Sequence, residues 1–311
     1  MTFGESHGPA MGGILDGMPS RVNIDIESIQ RDLDRRAPGR KAFTSQRREP
    51  DKIEILSGIS PEGLTLGTPI GFIIRNKDHR SEDYEGYTDR FRPNHADYTY
   101  YSKYGINDFR GGGKASARET VSWVAAAGIC RQWLDTMGIK IHAELIPTNN
   151  IAECASKGDS TGAIVQGLIE GMPVGVGEPV FDKLHARLAY AMMSINAAKA
   201  FEYGDGIKAA EMKGSESLDT PYVDKATGEI KFKANHSGGI QGGISNGMPI
   251  NFKVYFKPTP TLMRPLDSID VKGKEVIIQP KGRHDPCVAV RGVAVVEAMA
   301  ILTVADLLAQ K

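Results

Sequence analysis

The sequence predicts an α+β fold with antiparallel sheets and an internal duplication. Strand-like alternation and helical periodicity are mixed along the chain without regular βαβ alternation, which disfavours a doubly wound parallel sheet. A glycine-rich segment also recurs. Gly12-Gly-Ile-Leu-Asp-Gly-Met-Pro19 and Gly242-Gly-Ile-Ser-Asn-Gly-Met-Pro249 agree at six of eight positions, with a fainter echo at Gly171-Met172-Pro173. Asp16-Gly17 and Asn246-Gly247 favour tight turns, because both residue types tolerate positive φ. Alternating runs over 22–26 and 250–256 follow them, so two copies of one hairpin unit are expected.

The remaining elements follow in order. A helix is expected over 26–36, stopped by Pro38-Gly39. Strands are expected over 52–56, 70–74, 140–145 and 275–279. The clearest helix covers 117–137. Val121, Val124, Ala125, Ala127, Gly128 and Trp133 give it a small-residue face, Ser116-Ala-Arg-Glu119 has the capping-box form, and Gly138 ends it. Further helices are expected over 184–193 and 293–310. The apolar run 293–308 is interrupted by Glu297, Thr303 and Asp306, which reads as a core helix and not a membrane span. No Pro/Ser-rich linker divides the chain, so a single domain over 1–311 is expected.

Composition narrows the function. The 311 residues carry 38 Lys plus Arg against 38 Asp plus Glu, which disfavours a nucleic-acid surface built on surplus cations. An apolar share of 41% excludes disorder of the whole chain. Cys130, Cys154 and Cys287 are an odd number at wide spacing with no CxxC pair, which gives no disulfide framework or zinc ribbon, so reduced thiols and no metal site are expected. Residues 1–20 have no apolar signal core, and a cytoplasmic protein is expected.

Local clusters then point to chemistry. Gly4-Glu5-Ser6-His7-Gly8 matches GxSxG, the nucleophile elbow of serine hydrolases, but an elbow needs a helix after it and Pro9, Gly12 and Gly13 follow instead. The glycine-framed Ser6 and His7 suit proton transfer by an imidazole. Arg110-Gly-Gly-Gly-Lys114-Ala-Ser116 precedes a helix and could cradle a phosphate. It is not a Walker A loop, because Asp108 and Ala115 occupy the positions that need Gly and Ser/Thr. Residues 31–48 gather Arg31, Arg35, Arg36, Arg40, Lys41, Arg47 and Arg48 against Asp32 and Asp34. Guanidinium forks match phosphates and carboxylates. Arg92, His95 and Asp97 form a further polar cluster, and Arg283, His284 and Asp285 another. Together these suggest a small polyanionic substrate and acid/base chemistry.

These blocks, in this order, resemble the chorismate synthase family. The resemblance is carried by Thr2 to Gly8, Asp32 to Arg36, Gln46 to Asp51, Phe91 to Tyr100, Tyr104 to Thr120 and Ser194 to Ala197. It continues through Glu202 to Gly206, Asn235 to Gly247, Lys257 to Thr261 and Arg283 to Cys287. It implies a layered β-α-α-β sandwich with internal duplication, assembled as a homotetramer. It implies a lyase that converts 5-enolpyruvylshikimate 3-phosphate to chorismate and phosphate by 1,4-anti elimination. Reduced FMN is required without net oxidation, and NADPH is the candidate reductant. His7, beside Ser6, would protonate the departing phosphate. His95 would protonate the reduced flavin, and Asp285 would join the proton relay from C6, with Ser116 near the flavin. Arg36, Arg40, Arg47, Arg48 and Arg110 would hold the anionic groups of substrate or NADPH. Lys114, Ala115, Ser116, Asn196, Ala197, Gly242, Lys257, Pro258, Thr259, Pro260, Thr261 and Arg283 would contact FMN. The alternatives are a GxSxG hydrolase and a non-catalytic flavin- or phosphate-binding homologue. The chain departs from the family pattern in four places, one of them the Arg40-Lys41 spacing, where the pattern has an Arg about two positions later. The pattern begins before Met1-Thr2, Lys114-Ala115 stands where Arg-Ser is commoner, and the stretch 147–158 is short.

Overall fold

In the computed structural model, residues 1–37, 39, 50–77, 89–109, 112–279 and 285–310 are described. The first half builds one four-stranded antiparallel sheet from β1 (Thr2–Gly4), β2 (Ala10–Leu15), β3 (Ile53–Ile55) and β4 (Ile70–Arg75), in the order β1-β2-β4-β3. Helix α1 (Ile26–Arg36) joins β2 to β3, and α2 (Asp97–Tyr104) and α3 (Thr120–Thr136) follow β4. The second half repeats this plan with β5 (Lys140–Pro147), β6 (Ala163–Glu170) and β7 (Ala198–Tyr203). Helix α4 (Ile151–Ser156) lies between β5 and β6, and α5 (Leu184–Met193) between β6 and β7. Two small hairpins follow, β8 (Pro221–Val223) with β9 (Ile230–Phe232) and β10 (Ile240–Gln241) with β11 (Ile244–Ser245). They lead into β12 (Ile250–Phe256), which completes the second sheet in the order β5-β6-β12-β7. A last hairpin, β13 (Leu266–Ile269) with β14 (Glu275–Ile278), precedes α6 (Ala289–Ala309).

Helices α1 and α3 pack on the first sheet, α5 and α6 pack on the second, and α3 crosses α6 between them. The layers are therefore β-α-α-β. Each sheet is apolar on its helix side, with Ile70, Phe72 and Ile74 of β4 and Ile250, Phe252 and Val254 of β12 all buried. Helix α6 is long and apolar enough to cross a membrane, but it is a core helix, with 72% of its apolar window buried inside the fold. Its one central carboxylate, Glu297, is almost fully buried and joins three helices. It accepts from Arg35 of α1 at 2.7 Å and from Arg131 of α3 at 2.5 Å. Burial alone would raise the Glu297 carboxyl, but the Arg35 hydrogen bond and both guanidinium charges hold it below its ordinary value.

The duplication is real, but its sequence trace lies elsewhere than the eight-residue repeat suggests. Gly12 to Pro19 runs out of β2 toward α1, whereas Gly242 to Pro249 turns between β10 and β11 and enters β12. These are not equivalent places. Nor is 22–26 a strand; it forms only an isolated bridge, Asn23 to Leu64, before α1 starts at Ile26. The true counterpart of Gly4 to Pro19 is Gly158 to Pro173, identical at seven of sixteen positions without a gap. In each copy a glycine stands across from a phenylalanine, Gly13 from Phe72 and Gly167 from Phe252, where a β-carbon would overlap the ring. With a one-residue gap, Gly58 to Ile70 corresponds to Gly239 to Ile250.

The same hydrogen-bond brace closes both halves. The Thr65 hydroxyl donates to the Pro19 carbonyl at 2.6 Å and accepts from Val22 N–H at 2.9 Å. The Ser245 hydroxyl donates to the Pro173 carbonyl at 2.6 Å and accepts from Val176 N–H at 2.9 Å.

Helices over 26–36 and 184–193 form as expected. The expected helix 117–137 begins as a tight 3-10 turn over Ala117–Glu119, and α3 proper starts at Thr120. The capping box there is only half made. Ser116 Oγ accepts from Arg118 N–H, but the Glu119 carboxylate turns to Thr2 and Lys114.

Both braces are buried, so Thr65→Val and Ser245→Ala should each lose about 1–3 kcal/mol of stability in urea denaturation. Unchanged midpoints in both would remove the brace from the fold's support.

Candidate active site

The N-terminal loop between β1 and β2 carries Ser6 and His7, both buried, with Ser6 Oγ 3.0 Å from His7 Nδ1. The loop passes from strand to turn to strand, so the GxSxG segment lacks the helix of a nucleophile elbow. One side chain clamps it. Asn76, just past β4, donates from Nδ2 to the carbonyls of Gly8 at 2.8 Å and Glu5 at 3.1 Å. Its Oδ1 accepts from Arg118 Nε at 2.9 Å.

Arg118 leads to the charged centre. Its Nη1 donates to Asp51 Oδ1 at 2.5 Å, and Arg36 Nη1 donates to Asp51 Oδ2 at 2.9 Å. Asp51 is fully buried (0% exposed) and Arg36 nearly so (1%). Arg36 also donates to Thr120 Oγ1 and the Ala117 carbonyl. Burial, with Arg291 and then Arg118 nearby, pushes the Arg36 guanidinium down to about 9, against the pull of Asp51. It stays charged at neutral pH. Arg291 of α6 donates to the Arg36 carbonyl at 3.2 Å and to Asp285 Oδ2 at 2.9 Å. Among the described residues, three guanidinium groups thus surround two carboxylates. Arg118 Nη2 is buried with no hydrogen-bond partner.

A second group converges from other elements. His95 Nδ1 lies 3.1 Å from the Pro93 carbonyl, which fixes Nδ1–H as donor and leaves Nε2 to accept from the Thr261 hydroxyl at 3.3 Å. Burial, then Arg92, lowers His95 to about 4, so it is neutral at pH 7. Lys257, just past β12, reaches the Asn94 carbonyl at 2.9 Å, and its own N–H donates to Ala197 O. Ala197 sits at φ +69°, and Asn196 Nδ2 donates to the Ala115 carbonyl at 3.0 Å. Asn196 Oδ1 and Thr259 Oγ1 are buried without partners.

The structure therefore gathers Ser6, His7, Arg36 and Asp285 into one hydrogen-bonded network. It gathers His95, Ala115, Asn196, Ala197, Lys257 and Thr261 into another, with Pro258, Thr259 and Pro260 between the last two. Ser116 caps the turn next to Ala115. Lys114 is paired with Glu119 at 2.9 Å. Gly242 tips the β10–β11 hairpin near the start of α5, and no described contact joins it to either group. Arg40, Arg47, Arg48, Arg110 and Arg283 lie outside the described residues. Asp51, Asn76, Arg118 and Arg291 are the central residues that the sequence reading does not single out.

A family model described as chorismate synthase matches residues 1–151 and 146–309. Its two pieces overlap at 146–151, from the end of β5 to the start of α4. A chorismate synthase of Christiangramia forsetii is 50% identical over 337 residues, covering 98% of this chain and 94% of that protein. One of Cytophaga hutchinsonii is 48% identical over 339 residues, with 98% and 94% covered. A solved structure titled "Crystal Structure of Chorismate Synthase" superposes with a TM-score of 0.78 at 28% identity, covering all of this chain and 91% of that one. The chain belongs to the chorismate synthase family.

Proposed function

We propose that the chain converts 5-enolpyruvylshikimate 3-phosphate to chorismate and phosphate by 1,4-anti elimination, with reduced FMN as a cofactor that ends unchanged. The observation that carries this reading is the buried surplus of guanidinium over carboxylate around Asp51, joined through Asn76 to the loop that carries His7 and through Arg291 to Asp285. Expelling phosphate needs preorganised positive charge where negative charge develops. Arg36 and Arg118, oriented by Asp51, supply that field, and the open Nη2 of Arg118 suits an anionic oxygen.

The acid and the base sit at opposite ends of the network. His7, steadied by Ser6 and by the Asn76 clamp, gives a proton to the departing phosphate. Asp285, held by Arg291, receives the proton lost from C6. One proton leaves the ring and one joins phosphate, so the reaction balances.

The second group fits a flavin. Asn196 Oδ1 is an unpaired acceptor suited to a ring N–H, and Thr259 Oγ1 is an unpaired hydroxyl suited to a ring carbonyl or nitrogen. Ala115, Ser116, Ala197 and Lys257 to Thr261 complete the cradle. When bound, reduced flavin supplies the electron density that assists C–O cleavage. His95, neutral and oriented by Pro93, stands ready to share a proton with it. We further propose one catalytic domain assembled as a homotetramer in the cytoplasm.

Anaerobic mixing of protein, substrate and reduced FMN should release phosphate and give chorismate absorbance; the absence of both signals would sink the reading. His7→Ala and Asp285→Ala should each cut kcat by about 10²–10⁴ while the far-UV circular dichroism is retained. Wild-type rates in both would remove their roles. An anionic cofactor should raise His95 above about 4, so binding near pH 6 takes up a proton. Calorimetry of reduced FMN binding in two buffers of different ionisation heat should show more uptake for wild type than for His95→Gln; equal uptake would contradict it.

A further inference from the structure

The duplication puts two loops in equivalent places, one before β2 and one before β6. Glu5-Ser6-His7-Gly8 corresponds to Asp159-Ser160-Thr161-Gly162. The second loop carries threonine where the first carries histidine, so it cannot supply the same acid. It does touch both segments that matter on its side of the molecule. Ser160 Oγ donates to the Thr259 carbonyl at 2.6 Å. Thr161 N–H donates to the Pro286 carbonyl at 2.9 Å, one residue from Asp285. Thr161 is buried, with its hydroxyl held between Asn149 Nδ2 and Gly162 O. The loop is thus a fixed platform.

Thr259 Oγ1 is buried without a partner. A buried hydroxyl left unpaired is unfavourable until a ligand completes it. Its direction depends on the main chain of Thr259, and Ser160 grips the carbonyl of that residue.

We infer that Ser160 is a positioning residue for the cofactor: it fixes the Thr259 main chain so that the buried Thr259 hydroxyl meets the flavin. This rests on the flavin reading above. One serine of the duplicated loop thus serves two ends, Ser6 orienting His7 and Ser160 orienting Thr259.

The test is FMN affinity, followed by quenching of flavin fluorescence, for Ser160→Ala, Ser160→Thr, Thr259→Ala and the Ser160→Ala/Thr259→Ala pair. Thermal melting without FMN checks that each variant folds. Ser160→Ala should weaken FMN about tenfold, and Thr259→Ala by at least as much. The double variant should bind no more weakly than Thr259→Ala alone, because Ser160 acts through Thr259. Ser160→Thr keeps the hydroxyl and should return affinity to within about threefold of wild type. Unchanged affinity in folded Ser160→Ala, or losses that multiply in the double variant, would overturn the inference. A wild-type chain that binds no FMN would overturn the flavin reading with it, whereas tight wild-type binding and normal Ser160→Ala binding overturn only the role of Ser160.

Discussion

One buried carboxylate, Asp51, holds two guanidinium groups at once, and the loop of Ser6 and His7 and the Asp285 carboxylate are both tied to that contact. A charge moved out of water is unfavourable unless it is paired and hydrogen-bonded. Asp51 meets that condition for Arg36 on one oxygen and Arg118 on the other. Two cations on one anion leave the pair short of negative charge, and Arg291 adds a third guanidinium beside Arg36. Burial first, and then that crowding by Arg291 and Arg118, depress the Arg36 guanidinium. A centre with this excess of positive charge is one that an anion such as the proposed substrate would stabilise.

The contact also sets positions beyond itself. Arg118 turns toward Asn76, and Asn76 in turn fixes the loop of Ser6 and His7. Arg291 spans from the Arg36 carbonyl to Asp285. The loop of His7 and the carboxylate of Asp285 are thereby tied to one charge balance, although they come from opposite ends of the chain. The two sheets supply the rigid frame. Their matching braces at Thr65 and Ser245 tie each strand pair to the segment leading into its helix. The halves keep the frame and differ in the loops, with histidine in one and threonine in the other.

Much of the frame is legible in the sequence because its causes are local. Helix α1 announces itself through Asp25, which caps the Glu27 N–H, and through the buried spacing of Ile29 and Leu33. The alternation in β12 is equally plain. Ser6, His7, His95 and Asp285 stand out by residue type within short blocks. The hub does not, because its meaning lies in distant partners. Asp51 is 15 positions from Arg36 and 67 from Arg118, and Arg291 is 255 from Arg36. Asp51 also adopts φ +44°, which its residue type alone does not announce. The duplication is legible but misdirecting. The strongest eight-residue match joins unlike places, since Gly-x-Pro turns recur both where the chain leaves β2 and β6 and where it enters β4 and β12. Helix α2 has no clear apolar stripe, and only Asp97 in it is buried.

The most direct test of the hub is kcat/KM for the phosphate substrate in Asp51→Asn, an exchange that keeps shape and removes charge. Arg36 and Arg118 then lose their shared counter-ion and no longer hold the Asn76 clamp or the anion in place. A fall of about a hundredfold or more is expected in protein that keeps its native circular dichroism. A value within about threefold of wild type would contradict the central place given to Asp51.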